Sequence, residues 1–291
     1  MFFDYYFFHT LNHLRDISQT TPLPPGFLEE RNKNSQESFN VLILGIDTWE
    51  TVNARSDLLI VANVNPETRK INLLSIPRDT KVNLAGVGNT KIAHVYDWSQ
   101  VQGGGESDCQ GALKAVSDLL KTPIHYYIKL NLRGFRDFVD LVGGLDVYLD
   151  SNVKLTFIDV ILPAGKQHIC GDLALEFVRE RFSLEDGDFD RQRNQFMVIK
   201  SLANKLLEQD YMKTLPQIFQ ICKSGMIETN FCSEEVMSLA AAFWGIEDND
   251  FTLFQIPGEP AYDYDPLVKA KIFYWVPDLN KVEEIGSDYF R

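Results

Sequence analysis

Two short apolar runs, residues 58–64 and 71–74, flank the stretch Asn65-Pro66-Glu67-Thr68-Arg69-Lys70, and this arrangement restricts the fold more than any other. Aliphatic and β-branched residues bounded by Asn and Pro signal two antiparallel strands and their turn. Closed around a two-residue loop at Glu67-Thr68, the hairpin sets Asp57 opposite Arg78 at its open end. There the motif Ser75-Ile76-Pro77-Arg78-Asp79-Thr80 leaves the second strand. A carboxylate and a guanidinium side by side at the edge of a buried sheet are either a structural ion pair or part of a site.

Composition favours a site. The chain has 291 residues, 45% hydrophobic and 12% aromatic, enough for a large core. Its net charge of −13 (41 acidic against 28 basic residues) repels phosphate backbones and argues against nucleic acid as a partner. Against that background, six of its 12 arginines (Arg55, Arg78, Arg179, Arg181, Arg191 and Arg193) fall in three short segments. Scarce cations gathered in an acidic protein suggest an anionic ligand.

The cysteines, Cys109, Cys170, Cys222 and Cys232, have no metal-ligand spacing. Cys222 and Cys232 form a disulfide in an oxidising compartment or stay as buried thiols, and both readings stand. No stretch approaches the roughly 20 apolar residues that cross a bilayer. The aromatic start, Met1-Phe2-Phe3-Asp4-Tyr5-Tyr6-Phe7-Phe8, lies on a membrane, packs on the domain, or remains from a longer beginning.

The chain divides into a leader and linker (1–38), a main domain (39–256) and a covering segment (257–291). Residues 39–46 predict a strand buried on both faces, ending in Asp47-Thr48. After residue 80 comes an irregular loop holding Lys91-Ile92-Ala93-His94-Val95-Tyr96, then a flexible turn at Gly103-Gly104-Gly105. Hydrophobic spacing predicts helices at 108–120, 132–142, 171–178 and 188–207, with helical stretches near 215–222 and 234–243. Further strands are expected at 126–130, 147–149 and 251–256. The alternation gives an α/β fold with a central mixed sheet flanked by helices.

Two features of the second half bear on chemistry. Arg179 and Arg181 fall almost opposite one another on a helix but on one side of an extended chain. Either one of them faces solvent, or the helix ends there and both turn inward. Asp188, Arg191 and Gln195 occupy one helix face, which continues as Val198, Leu202 and Leu206. The polar triplet therefore points towards core, where charges need a partner or a bound ion.

Taken together, Arg78, Arg179, Arg181 and Arg191 with Asp47 and Asp57 describe a cationic pocket with two carboxylates at its rim. Arginines clamp phosphoryl oxygens, and two carboxylates with water can hold Mg²⁺. Positioning and charge neutralisation are what phosphoryl transfer requires. A serine triad is poorly supported, because Ser75 and His94 have no Gly-x-Ser-x-Gly context.

The ordered set of motifs resembles the LytR-CpsA-Psr (LCP) family over residues 39–208. It comprises Leu44-Gly45-Ile46-Asp47, Arg55-Ser56-Asp57, residues 75–80, residues 91–96, Gly143-Gly144-Leu145-Asp146-Val147, Val178-Arg179-Glu180-Arg181, and Asp188-Phe189-Asp190-Arg191 followed by Gln195. The resemblance implies a phosphotransferase that moves a glycan phosphate from a polyprenyl-pyrophosphate carrier to a hydroxyl of peptidoglycan or another envelope polymer. It implies catalytic roles for Asp57, Arg78, Arg179 and Arg181. Arg55, Arg78, Lys91, Arg179, Arg181, Arg191 and Gln195 would bind pyrophosphate, with Asp79 and Asp188 in support. Asp47 and Asp57 would serve Mg²⁺ or the incoming hydroxyl.

An apolar lipid-binding tunnel is expected within the fold; Leu119, Phe138 and Val198 are of a kind to line it, though core packing accounts for them better. The expected location is the extracytoplasmic face of the membrane, met through the lipid substrate. With no acceptor present, water attack would make the protein a pyrophosphatase. The sequence departs from the family pattern at Ala93, where Asn is usual, at Asp190, where Gly is common, and in showing no N-terminal transmembrane helix. The alternatives are a binding module that holds the lipid pyrophosphate without turnover and, least favoured by charge, a transcriptional attenuator.

Overall fold

The computed structural model describes residues 38–47, 56–102, 109–208, 226–232, 235–236, 239, 242–243 and 246–291. Residues 1–37 of the leader, Arg55, Thr48, Cys222, the glycine triplet and the stretch 215–222 lie outside these residues.

A mixed sheet organises the domain. Strand β1 (Phe39–Ile46) sits between β2 (Ser56–Asn65), which it pairs antiparallel, and β6 (Tyr126–Asn131), which it pairs parallel. Beyond β2 come β3 (Lys70–Ser75) and the parallel β12 (Phe251–Gln255); beyond β6 comes β11 (Ile227–Thr229). Alternate β1 residues go to opposite faces, as period two demands. Leu42, Leu44 and Ile46 join one core with helices α1 (Ile92–Gln102), α2 (Cys109–Leu120) and α6 (Leu279–Tyr289). Phe39 and Val41 join another with Tyr126 and with Phe196 of helix α5 (Asp188–Glu208).

A third core lies beside the sheet. Helices α3 (Leu132–Leu141), α4 (Gly171–Arg179) and α5 pack against the pair β7 (Leu145–Leu149) and β10 (Gly165–Ile169), with the small hairpin β8 (Val153–Leu155) and β9 (Val160–Leu162) attached. Helix α3 starts under an Asn131 cap, whose Oδ1 accepts the Gly134 N–H at 2.7 Å, and stops at Gly143 and Gly144, both at positive φ.

Three expectations change. The hairpin register is as read, since Val61 pairs with Leu74 and Ile60 with Ser75, but Asn65 pairs with Lys70, so the connection has four residues. The Asn65 side chain accepts the Thr68 N–H at 2.9 Å and holds that wider turn. The stretch 91–96 is not irregular: β4 (Lys81–Leu84) and β5 (Gly88–Lys91) form a hairpin, and Ile92 begins α1. Alternation over only four residues was too short to register.

The segment after Pro257 forms a further hairpin, β13 (Gly258–Asp265) with β14 (Ala270–Pro277), followed by α6. Val282 and Phe290 of this segment sit fully buried in the first core. Asp265, also fully buried, fastens the hairpin: it accepts bonds from Thr90 Oγ1 (2.9 Å), Tyr274 OH (2.8 Å) and the N–H groups of Leu267 and Val268. The last residues reach back to β1. Phe290 O accepts from the buried Asn40 Nδ2, and Arg291 O from Ser38 Oγ, both at 2.6 Å.

Candidate functional site

The second face of the sheet and helices α3, α4 and α5 enclose a cavity of about 470 Å³. Ile43, Leu58, Ile128 and Leu130 form its sheet side, and Phe135, Phe138, Leu175 and Val178 its helical side. The stripe foreseen on α5 lines it from Arg191 and Gln195 through Val198 and Leu202 to Leu206. At 1.5 Å per residue, that lining spans about 22 Å. Leu119 packs elsewhere, in the core with α2.

Charge gathers where several elements terminate. Asp47 follows β1, Asp57 opens β2, Arg78 follows β3, Arg179 and Arg181 flank the end of α4, and Arg191 lies in the opening turns of α5; all six line the cavity. The β2–β3 ladder has closed by Ser75, after which Pro77 turns the chain; Arg78 completes the expected juxtaposition through its side chain, with Nη1 on Asp57 Oδ1. Gly45 forms part of the wall beside a bulge in β1, and a Cβ there would meet Leu58 Cβ at 2.9 Å.

The two arginines of α4 turn inward together. Glu180 leaves the helix with φ −64° and ψ 132°, an extended conformation that sets Arg179 and Arg181 on the same side. Its fully buried carboxylate accepts the N–H groups of Thr156 (2.5 Å), Phe182 (2.7 Å) and Ser183 (3.0 Å). Burial pushes this carboxyl up, but the backbone donors outweigh it and hold it below its ordinary value. Arg179 Nη1 lies 3.2 Å from Glu176 Oε1.

On α5, Arg191 is 6% exposed and donates to Asp188 Oδ1 at 2.5 Å, while its Nε is buried with no hydrogen-bond partner among the described residues. Such an orphaned donor in a charged cavity is a place for an anion. Gln195 Nε2 donates to Val178 O at 3.2 Å, tying α5 to the end of α4. Lys91 is placed differently. Its Nζ lies 2.5 Å from Asp79 Oδ1, and neither residue lines the cavity.

Phe157 and Phe182 also line the cavity but had not been singled out. Arg179 Cζ lies 5.4 Å from the Phe157 ring centre and Arg181 Cζ 4.9 Å from that of Phe182, within cation–π range. Phe182 adjoins Arg181 in sequence, a weak signal; Phe157 has none, being brought in by the β8–β9 hairpin. Among the described residues, no group of three His, Cys, Asp or Glu converges as a metal cage. Two carboxylates completed by phosphate oxygens and water are nevertheless a donor set suited to Mg²⁺.

Comparison with known proteins agrees with this geometry. A profile described as the LytR_cpsA_psr family matches residues 8–288. A protein of Bacillus cereus named polyisoprenyl-teichoic acid–peptidoglycan teichoic acid transferase TagU is 30% identical over 254 residues, covering 87% of this chain and 78% of its own. The crystal structure of B. subtilis TagV superposes with a TM-score of 0.72 at 28% identity, over 88% of this chain and 98% of that one. A structure of TagT bound to LIIa-WTA, 24% identical with 93% of each chain covered and a TM-score of 0.70, shares the fold.

Proposed function

The chain belongs to the LytR-CpsA-Psr family, and we propose that it transfers a glycan phosphate from a polyprenyl-pyrophosphate carrier to a hydroxyl of peptidoglycan or a related envelope polymer. One observation carries the reading: four guanidinium groups and two carboxylates meet in a cavity otherwise lined by aliphatic and aromatic side chains. The first part suits a pyrophosphate, the second an isoprenoid chain. The name carried by the B. cereus relative, a teichoic acid transferase acting on peptidoglycan, supports the donor and acceptor classes.

In this mechanism Arg78, Arg179, Arg181 and Arg191 grip the pyrophosphate oxygens, and the lipid lies along α5. The acceptor hydroxyl attacks the phosphorus that bears the sugar. A new P–O bond forms as the bridging P–O bond breaks, and its electron pair leaves with polyprenyl phosphate, whose charge the arginines stabilise. A carboxylate at the mouth, Asp57 or Asp47, takes the hydroxyl proton. Mg²⁺, held by Asp47 and Asp57 together with phosphate oxygens, would neutralise charge on the transferring group. The Asp57–Arg78 ion pair fixes the orientation of both side chains before substrate arrives. Water in place of the acceptor would give hydrolysis. Such a substrate would put the reaction at the extracytoplasmic face of the membrane, beside the wall.

The test combines the protein, a synthetic polyprenyl-pyrophosphate-linked sugar and Mg²⁺, with polyprenyl phosphate followed by mass spectrometry beside Arg78→Ala. The reading requires product from the parent and at least ~100-fold less from the variant, about 2.7 kcal/mol of transition-state stabilisation. Lipid binding by both without product, whatever the acceptor, identifies a binding module. Failure of both to bind overturns the reading.

A further inference from the structure

The β8–β9 hairpin presents an unusual tip. Phe157 is 59% exposed, Ile158 43%, Val160 37% and Ile161 60%, and Phe182 beside them is 62% exposed. Exposed apolar side chains in such a cluster mark a surface that meets something apolar. The tip is held in place. Glu180 binds the Thr156 N–H, Ser183 Oγ donates to Lys154 O at 2.7 Å, and Phe157 meets Phe182 edge-on at 5.9 Å.

We propose that this hairpin tip docks the protein on a lipid bilayer, placing the mouth of the cavity at the lipid surface. The proposal rests on the reading of the cavity as a lipid-pyrophosphate site. Continuity carries it: Phe157 and Phe182 belong both to the exposed patch and to the cavity lining, so the patch is the rim through which a membrane-embedded chain would enter. Charge agrees. The chain's net −13 opposes adsorption by general electrostatics, so attachment falls to apolar insertion. Within residues 153–162 the two charged side chains, Lys154 and Asp159, pair at 2.9 Å, leaving the inserting element neutral. Behind it, Arg179 and Arg181 lie over the two rings, at the level where lipid phosphates would sit.

The test uses the full chain and vesicles of phosphatidylcholine with phosphatidylglycerol, free of polyprenyl lipid, in a flotation assay. Ile158 and Ile161 do not line the cavity, so the double variant Ile158→Ser/Ile161→Ser probes the patch alone. The parent should float and the variant's bound fraction fall at least ~10-fold, with equal uptake of a short, water-soluble polyprenyl-pyrophosphate analogue by both. In a separate Ile158→Trp variant, brominated lipids should quench the added emission. Flotation of the double variant like the parent, or failure of the parent to float, overturns the proposal. So does a parent dimer that the variant dissociates, which would assign the patch to a second copy. Loss of flotation in the variant with no analogue uptake by either protein upholds docking and sinks the cavity reading.

Discussion

The carboxylate of Glu180 accepts the backbone N–H of Thr156, 24 residues earlier in the chain, at 2.5 Å. This bond couples the end of α4, where Arg179 and Arg181 turn together into the cavity, to the hairpin that carries Phe157. Removing the acceptor strands three backbone donors. Glu180→Ala should cost roughly 1–3 kcal/mol by denaturant unfolding. It should also reduce turnover although Glu180 itself does not line the cavity.

The same carboxyl gives stability a pH dependence. Glu180 titrates below its ordinary value when folded, so its stabilisation is complete above about pH 4.5 and is lost as pH falls through the folded value. Unfolding midpoints measured between pH 6 and 3 should drop more steeply for the parent than for Glu180→Gln, which does not ionise there.

Arg78→Lys should not rescue Arg78→Ala. Lysine keeps the charge but loses the planar fork that can hold Asp57 and a phosphate together. Product release rates for the two variants should agree within ~10-fold, both far below the parent.

Asp57→Asn separates chemistry from binding. Turnover should fall ~100-fold or more while affinity for the lipid analogue changes little, and a chelator should lower parent turnover with Mg²⁺ restoring it. A variant that turns over like the parent removes Asp57 from the reaction.

Leu202 lines the cavity well beyond the arginines. Leu202→Trp should fill space that a long isoprenoid needs, raising KM for the long-chain donor ~10-fold while leaving a short-chain donor unaffected. Equal effects on both donors would place the lipid elsewhere.

Much of this was written in local patterns. The β2–β3 register followed from two apolar runs and a turn, and it brought Asp57 to Arg78 although the ladder ends earlier. The polar start of α5 announced the cavity because Arg191 and Gln195 shared a face with Val198 and Leu202. What stayed hidden depended on short strands. Within residues 153–162, Val153, Leu155 and Leu162 face the core while Phe157, Ile158, Val160 and Ile161 turn outward, contrary to the usual pattern, so neither the hairpin nor Phe157 stood out. Lys91 and Asp79 looked like site residues by motif, yet the β4–β5 hairpin turns them to one another. Arg55 falls outside the described residues.

The bond from Asn40 to the carbonyl of Phe290 joins residues 250 apart, and Asn40 belongs to the strand at the centre of the sheet. One Asn40 amide hydrogen finds Pro123 O at 2.9 Å, but a growing polypeptide makes the carbonyl that takes the other long after β1. Until α6 and Phe290 arrive, the first core lacks Val282 and Phe290 and one of the two donor hydrogens of a buried amide lacks its acceptor. Contacts between residues so far apart in sequence slow folding. The first core therefore cannot close until residues 282–290 are in place, and a chain cut short before α6 would be left open for proteolysis.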